Sequence, residues 1–131
     1  MLLSLLKLNV EGMIVQKLNS PVSEDLQLAE RYYGVISAIN NLGLTPREIQ
    51  LVSFTAVRGN MSYSNIREDF CEKYGTSSPT INNIISKLKK KGILVKDKGK
   101  IKVHPVIALD FKNDVKLEIL FVNGNNKKNS N

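Results

Sequence analysis

Hydrophobic and polar residues alternate with a period of two at the start of the chain. The alternation runs across positions 6–10, Glu11-Gly12 then offers a turn, and a second apolar run begins at Met13. A period of two is typical of a β-strand with one buried face. We therefore predict a β-hairpin in an N-terminal extension, residues 1–22.

Further along, apolar residues recur at intervals of three and four, the spacing that places them on one face of an α-helix. The pattern predicts four helices, over 24–41, 46–58, 62–74 and 78–91. The expected N-caps of the first, third and fourth helices are Ser23, Ser62 and Ser78. The second helix has the sharpest start, because Thr45 can cap it, Pro46 suits its first position and Glu48 can complete a capping box.

The period returns to two after the fourth helix. Residues 93–104 predict a β-hairpin with a polar tip, and residues 116–122 predict a last strand within a C-terminal segment, 111–122. The tail 123–131 is polar apart from one glycine, so we expect it to be disordered. With 131 residues the chain has the size of one domain, and its pattern indicates an α+β protein.

Charge changes this picture because it is unevenly distributed. The chain carries a net charge of +7, yet residues 1–60 are neutral overall. Residues 81–102 alone hold eight lysines against a single acidic residue, Asp97. Local positive charge attracts a polyanion, so this segment is a candidate for binding nucleic acid. The plain alternative is a solvated lysine face that keeps the protein in solution.

Composition argues against several other classes of protein. One cysteine and one histidine do not make a disulfide scaffold or a multi-cysteine zinc site, and there is no Ser-His-Asp set or phosphate-binding glycine loop. We therefore expect that the protein is not an enzyme and that it binds neither a metal nor a cofactor. No apolar run approaches the length of a membrane span. The apolar start, Met1–Leu6, has no positive residues before it and no cleavage site after it, so we expect a cytoplasmic protein.

The order of elements carries a resemblance to a known family. The segment from Leu44-Thr45-Pro46-Arg47-Glu48 through Ser77–Leu94, including the Leu88-Lys89-Lys90-Lys91-Gly92 exit of the last helix, resembles the winged helix-turn-helix domains of MarR-like regulators. Lys100-Ile101-Lys102-Val103-His104-Pro105 is also similar to the end of the wing in some plasmid and phage replication proteins. The resemblance implies an α+β winged helix-turn-helix domain over 23–110, with a three-helix core, a β-hairpin wing and a preceding helix. The N-terminal hairpin and the C-terminal strand are additions to it.

In that fold the second helix of the turn pair enters the major groove, which implies this role for helix 78–91 and a backbone or minor-groove role for the wing 93–104. The helix face opposite the apolar stripe carries amides, hydroxyls and lysine but no carboxylate, and such groups bond to base edges and phosphates. The acidic residues of the preceding helix, Glu68, Asp69 and Glu72, are expected to point partly away. The candidate DNA-binding residues are Ser77, Ser78, Thr80, Asn82, Asn83, Ser86, Lys87, Lys90, Lys96, Lys98, Lys100 and Lys102.

We therefore expect a protein that binds double-stranded DNA, as a transcriptional regulator or a replication-associated factor. The high asparagine and lysine content suggests a phage, a plasmid or a low-GC bacterium. One such module makes few base contacts, so we expect a homodimer, joined through the terminal strands (4–18 and 116–122) or through helix 24–41. The alternative for the terminal strands is that they pair with each other within one chain. The alternative is a winged-helix module that binds another protein, as in a phage structural or packaging assembly.

Overall fold

A computed structural model describes residues 4–125 of the chain, with the side chains described from Lys7 onward. These residues form an α+β fold with four α-helices and two antiparallel hairpins. The elements are β1 (Ser4–Val10), β2 (Met13–Asn19), α1 (Asp25–Ile39), α2 (Pro46–Arg58), α3 (Ser64–Tyr74), α4 (Ser78–Lys90), β3 (Leu94–Asp97), β4 (Lys100–Val103) and a short 3₁₀ turn, Pro105–Ile107. Of the tail predicted to be disordered, residues 126–131 lie outside the described residues.

Helix α2 begins where its start signal predicts. The backbone N–H of Glu48 donates to the Thr45 hydroxyl at 3.2 Å, and the backbone N–H of Thr45 donates to the Glu48 carboxylate at 2.8 Å. Pro46 occupies the first helical position, where its missing N–H costs nothing. The helix ends at Arg58 and is capped by Gly59, whose φ of 98° is open to glycine but strained for other residues. The predicted capping box is therefore confirmed.

The three serine N-caps predicted for the other helices are wrong. The Ser23 side chain and backbone N–H both bond to the side-chain oxygen of Gln27, and the Ser23 hydroxyl does not cap α1. The Ser62 hydroxyl accepts a bond from the distant backbone N–H of Ile101. Ser78 is already the first residue of α4. A short hydroxyl side chain bonds to whichever backbone or side-chain group lies nearest, and in α1 and α3 that group is not a helix N–H.

Two aromatic clusters hold the helices together. In the first, the ring of Phe70 lies 5.4 Å from that of Phe54 and 4.6 Å from that of Tyr74, so α2 and α3 are joined. In the second, Phe111 lies 5.6 Å from both Tyr32 and Tyr33 of α1. Ring pairs at these separations add to the stabilisation that burial itself provides. The second cluster anchors the segment that follows the β3–β4 hairpin onto α1.

The β3–β4 hairpin is confirmed where the sequence predicts it. Its strands pair from Leu94 opposite Val103 to Asp97 opposite Lys100. The two-residue turn, Lys98-Gly99, has positive φ at both positions (52° and 80°). Such a turn matches the twist of the two strands, and it favours glycine at its second position.

The β1–β2 hairpin also forms, with a two-residue turn at Glu11-Gly12. Its predicted buried face is wrong in the single chain, because described apolar side chains on it are exposed to solvent. These are Leu8, Val10 and Met13; Ile14 and Leu18, on the opposite face, are exposed as well. The two strands pair only with each other among the described residues, and neither is paired with the β3–β4 sheet.

The strand predicted over 116–122 is wrong. Residues 116–122 are all described, and none of them belongs to a strand. The side chain of Phe121 is 81% exposed, and its apolar neighbours are exposed as well. A strand needs a neighbouring backbone to accept and donate its hydrogen bonds, and none of the described strands lies beside this segment. Alternation alone therefore does not make it a strand.

Candidate nucleic-acid interface

Helix α4 has one apolar face and one polar face, as predicted. Its buried side chains are Ile81, Ile84, Ile85 and Leu88. The candidate residues on the rest of its surface are all exposed: Ser78, Thr80, Asn82, Asn83, Ser86, Lys87 and Lys90. The exposed face carries no carboxylate, so it presents hydrogen-bonding groups and positive charge to whatever approaches it.

The N-terminus of α4 is open to solvent. Ser77 occupies the N-cap position, but its hydroxyl lies 3.0 Å from that of Thr80 and caps no described helix N–H. The first turn has no acidic residue. Backbone N–H groups without a side-chain partner are free to bond to water or to a ligand at a helix start.

The lysines of the segment fall into two groups. Lys96 and Lys98 of the hairpin are exposed and form no ion pair among residues 4–125. The other two hairpin lysines are half-buried and engaged. The Nζ of Lys100 lies 5.0 Å from the centre of the Tyr63 ring, and that of Lys102 lies 3.5 Å from the Asp97 carboxylate. The lysines near the tip of the β3–β4 hairpin can therefore contact a ligand directly, whereas Lys100 and Lys102 would first have to leave their present partners.

A chain of hydrogen bonds connects the hairpin to the exposed face of α4. The backbone N–H of Met61 donates to the carbonyl of Ile101 in β4 at 2.9 Å. The carbonyl of Met61 accepts a bond from Nε of Arg67 in α3 at 3.0 Å. An Nη1 hydrogen of Arg67 in turn donates to Oδ1 of Asn82 in α4 at 2.7 Å. Only two residues, Met61 and Arg67, therefore link strand β4 to Asn82 through hydrogen bonds. This link joins two of the predicted binding elements, the hairpin and α4.

Arg67 is a residue that sequence reasoning missed. It lies in α3 between the α2–α3 loop and α4, and its side chain bonds to both of them. A basic residue directly before the acidic pair Glu68-Asp69 was the available signal. Its partners, 6 and 15 residues away, could not be read from the sequence.

The acidic residues of α3 point in two directions, so they turn only partly away from α4. Asp69 turns toward Arg58 of α2 and pairs with it at 2.7 Å. Glu68 and Glu72 instead line an open groove of about 550 Å³ that Arg67 and Ser78 also border. Residues four apart lie on the same stripe of a helix, and here that stripe faces the start of α4. A polyanion on α4 is thus disfavoured on the groove side and favoured toward Asn82 and the hairpin.

The turn between α3 and α4 is fixed by Tyr74. Arg47 of α2 donates to the Tyr74 carbonyl at 2.9 Å, and the Tyr74 hydroxyl donates to the Glu30 carboxylate of α1 at 3.4 Å. Burial raises the pKa of Tyr74 to about 12, and the negative charge of Glu30 acts in the same direction. Gly75 follows with a φ of 61°, which ends α3. The C-terminal end of α3 is therefore held by contacts from two other helices.

Within residues 4–125 no group of three His, Cys, Asp or Glu side chains is placed to hold a metal ion. None of the helices described there has the length and apolar character needed to span a membrane. In comparisons of the chain with protein-family models, with curated proteins and with solved structures, no match was found.

Proposed function

We propose that the protein binds double-stranded DNA as a winged helix-turn-helix module, with α4 in the major groove and the β3–β4 hairpin along the phosphate backbone or in the minor groove. The observation that carries the proposal is the hydrogen-bonded path from β4 through Met61 and Arg67 to Asn82. It connects a basic hairpin to a helix face free of carboxylates. The order α2, α3, α4 and hairpin supports the same interpretation.

The exposed face of α4 supplies the groups for base recognition. An asparagine such as Asn83 can pair with adenine, serine and threonine can bond to base edges or phosphates, and Lys87 can reach guanine. Each side chain is exposed, so none has to leave a buried site before it contacts DNA.

The lysines supply affinity rather than sequence selection. Lys96 and Lys98 at the hairpin tip, with Lys90 at the end of α4, are exposed and can neutralise phosphates. Six phosphate contacts would make the logarithm of the binding constant fall with the logarithm of salt concentration at a slope of roughly −5. Such binding needs no cofactor and fits a cytoplasmic transcriptional regulator or replication-associated factor of a phage, a plasmid or a low-GC bacterium.

The active form in this proposal is a homodimer, because one module makes too few base contacts for high specificity. The chain offers two apolar regions for a second copy: the face of the β1–β2 hairpin that carries Leu8, Val10 and Met13, and the segment 117–122. Segment 117–122 can form a strand only beside another backbone, and the hairpin has unpaired edges. Helix α1, with Val35 and Ile39 exposed, is the other candidate surface.

The same exposed apolar regions favour a second candidate function, a winged-helix module that binds another protein in a phage structural or packaging assembly. In that case the partner covers the β1–β2 hairpin and segment 117–122, and the lysines are solvent charge. The first candidate function requires that the protein binds duplex DNA, whereas the second does not.

A binding titration with fluorescent random duplex DNA at 50 and 200 mM salt separates them. We expect micromolar affinity that weakens steeply at the higher salt concentration. The double variant Lys96→Gln/Lys98→Gln should bind more weakly, whereas Lys7→Gln/Lys112→Gln, which removes the same charge outside α4 and the β3–β4 hairpin, should bind nearly as the wild type does. No binding at low salt, or equal losses in the two double variants, would contradict the proposal.

A further inference from the structure

We propose that Arg67 determines what Asn82 reads: by holding the side-chain oxygen of Asn82, it makes this residue a hydrogen-bond donor that recognises the N7 atom of either purine. The inference rests on the proposed DNA-binding function and deepens it. It assigns a positioning role to a residue of α3 that lies outside the set of expected DNA contacts.

The guanidinium of Arg67 is held at two points. Its Nε hydrogen bonds to the Met61 carbonyl at 3.0 Å, and an Nη1 hydrogen bonds to Oδ1 of Asn82 at 2.7 Å. Met61 is itself fully buried, and its backbone N–H is bonded to Ile101 of β4. The planar fork of an arginine therefore has a fixed base here, so the direction of its bond to Asn82 is fixed as well.

This contact selects one of the two orientations of the Asn82 amide. A guanidinium has only donors, so it accepts the oxygen of Asn82 as a partner and repels the NH₂ group. A hydrogen bond from a charged donor is also stronger than one between neutral groups. The oxygen of Asn82 is thus turned toward Arg67, and the two Nδ2 hydrogens are left for a ligand on the exposed face.

An amide fixed in this way loses its selectivity for adenine. Pairing with adenine uses both ends of the side chain, because the oxygen accepts from N6 while the NH₂ group donates to N7. Adenine and guanine both present N7 as an acceptor, so a donor alone binds either of them. The side chain of the neighbouring Asn83 is exposed and makes no hydrogen bond among the described residues, so it keeps both functions. The two adjacent asparagines therefore read DNA differently.

The test is selection of bound duplexes from a random pool by the wild-type protein and by Arg67→Met, Arg67→Lys and Asn82→Asp. For the wild type we expect a purine position that Asn82→Asp abolishes, since aspartate keeps the contact with Arg67 but lacks the outward donor. Arg67→Met releases the Asn82 oxygen, so at this position the selected duplexes should contain adenine about five times as often as guanine, or more. Arg67→Lys still donates to the oxygen and should keep the purine preference. Asn83→Ala should alter a different position.

Salt dependence separates positioning from direct contact. If Arg67 bonds to a phosphate itself, Arg67→Met weakens binding to all sequences and reduces the salt slope by about 1 without changing base preference, which overturns the inference. An unchanged preference with an unchanged slope overturns it too. Thermal unfolding of each variant identifies one that fails to fold. If Arg67→Met does so, the wild type still decides the question, because an adenine-only position that Asn82→Asp abolishes overturns the inference and a purine position supports it. If the wild type binds no duplex, the proposed function fails as a whole.

Discussion

The backbone N–H of Ile101 donates a 2.7 Å hydrogen bond to the hydroxyl of Ser62. The neighbouring residue Met61 donates its own N–H to the Ile101 carbonyl. Residues 61–62 therefore supply hydrogen-bond partners for the N–H and the carbonyl of Ile101, as a third strand beside β4 would. Only the bond from Met61 joins two backbone groups. This pair of bonds joins the β3–β4 hairpin to the α2–α3 loop.

Replacing Ser62 with alanine should loosen the hairpin. The change leaves the half-buried N–H of Ile101 without its acceptor, which should lower the free energy of unfolding by about 1 kcal/mol. Hydrogen exchange at the Ile101 amide should become faster. Ser64→Ala, at an exposed serine two residues later, is the matched control and should change neither quantity. Continued protection of the Ile101 amide in Ser62→Ala would show that the hydroxyl is not its acceptor.

The capping box of α2 should make a measurable contribution to stability. Thr45→Ala removes the acceptor of the Glu48 N–H and should cost about 1 kcal/mol in urea denaturation. Ser77→Ala tests the contrast, because the Ser77 hydroxyl caps no described N–H of α4 and its loss should cost much less. Equal effects at the two positions would contradict this difference between the helix starts.

The hydroxyl of Ser53 should be dispensable. It is fully buried in α2 and has no hydrogen-bond partner within residues 4–125. A buried polar group without a partner costs roughly 1–3 kcal/mol, so Ser53→Ala should keep or raise the melting temperature. A clear fall in melting temperature would mean that the hydroxyl has a partner, such as a bound water molecule.

Stability should fall in alkali through Tyr74. Its pKa is about 12 in the folded protein against 10.0 for an ordinary tyrosine, chiefly because it is buried. Below pH 10 the ring is neutral in both states; between pH 10 and 12 only the unfolded chain ionises, which favours unfolding. The free energy of unfolding should therefore decrease as pH rises through this window. Tyr74→Phe should reduce the decrease, and an identical pH profile for the variant would count against the assignment.

Association through segment 117–122 can be measured by sedimentation. If this segment pairs with a second copy, Phe121→Ser should shift the protein from dimer toward monomer at micromolar concentration. Val106→Ser removes another strongly exposed apolar side chain, 77% exposed against 81% for Phe121, and should leave the mass unchanged. A wild-type chain that sediments as a monomer would exclude this dimer.

The sequence predicts best those features whose cause lies within a few residues. The capping box at Thr45, the end of the helix predicted over 62–74 and the hairpin predicted over 93–104 all depend on local backbone geometry, and all are confirmed. The apolar stripe of α4 is equally local.

Features that depend on distant partners could not be predicted. The Ser62 hydroxyl bonds to a residue 39 positions away, and the Arg67–Asn82 bond spans 15 positions. Residues 116–122 have the alternation of a strand but no partner among the described elements. In each case the local pattern is compatible with a structure, but that structure forms only if a distant segment supplies the hydrogen-bond partner.

The short turn at Lys98-Gly99 also limits the footprint of the protein. Strands β3 and β4 have four residues each, so the hairpin extends only about 13 Å beyond its base. Successive base pairs are stacked about 3.4 Å apart. If the hairpin lies along a duplex, it lengthens the stretch protected from nuclease by no more than about four base pairs.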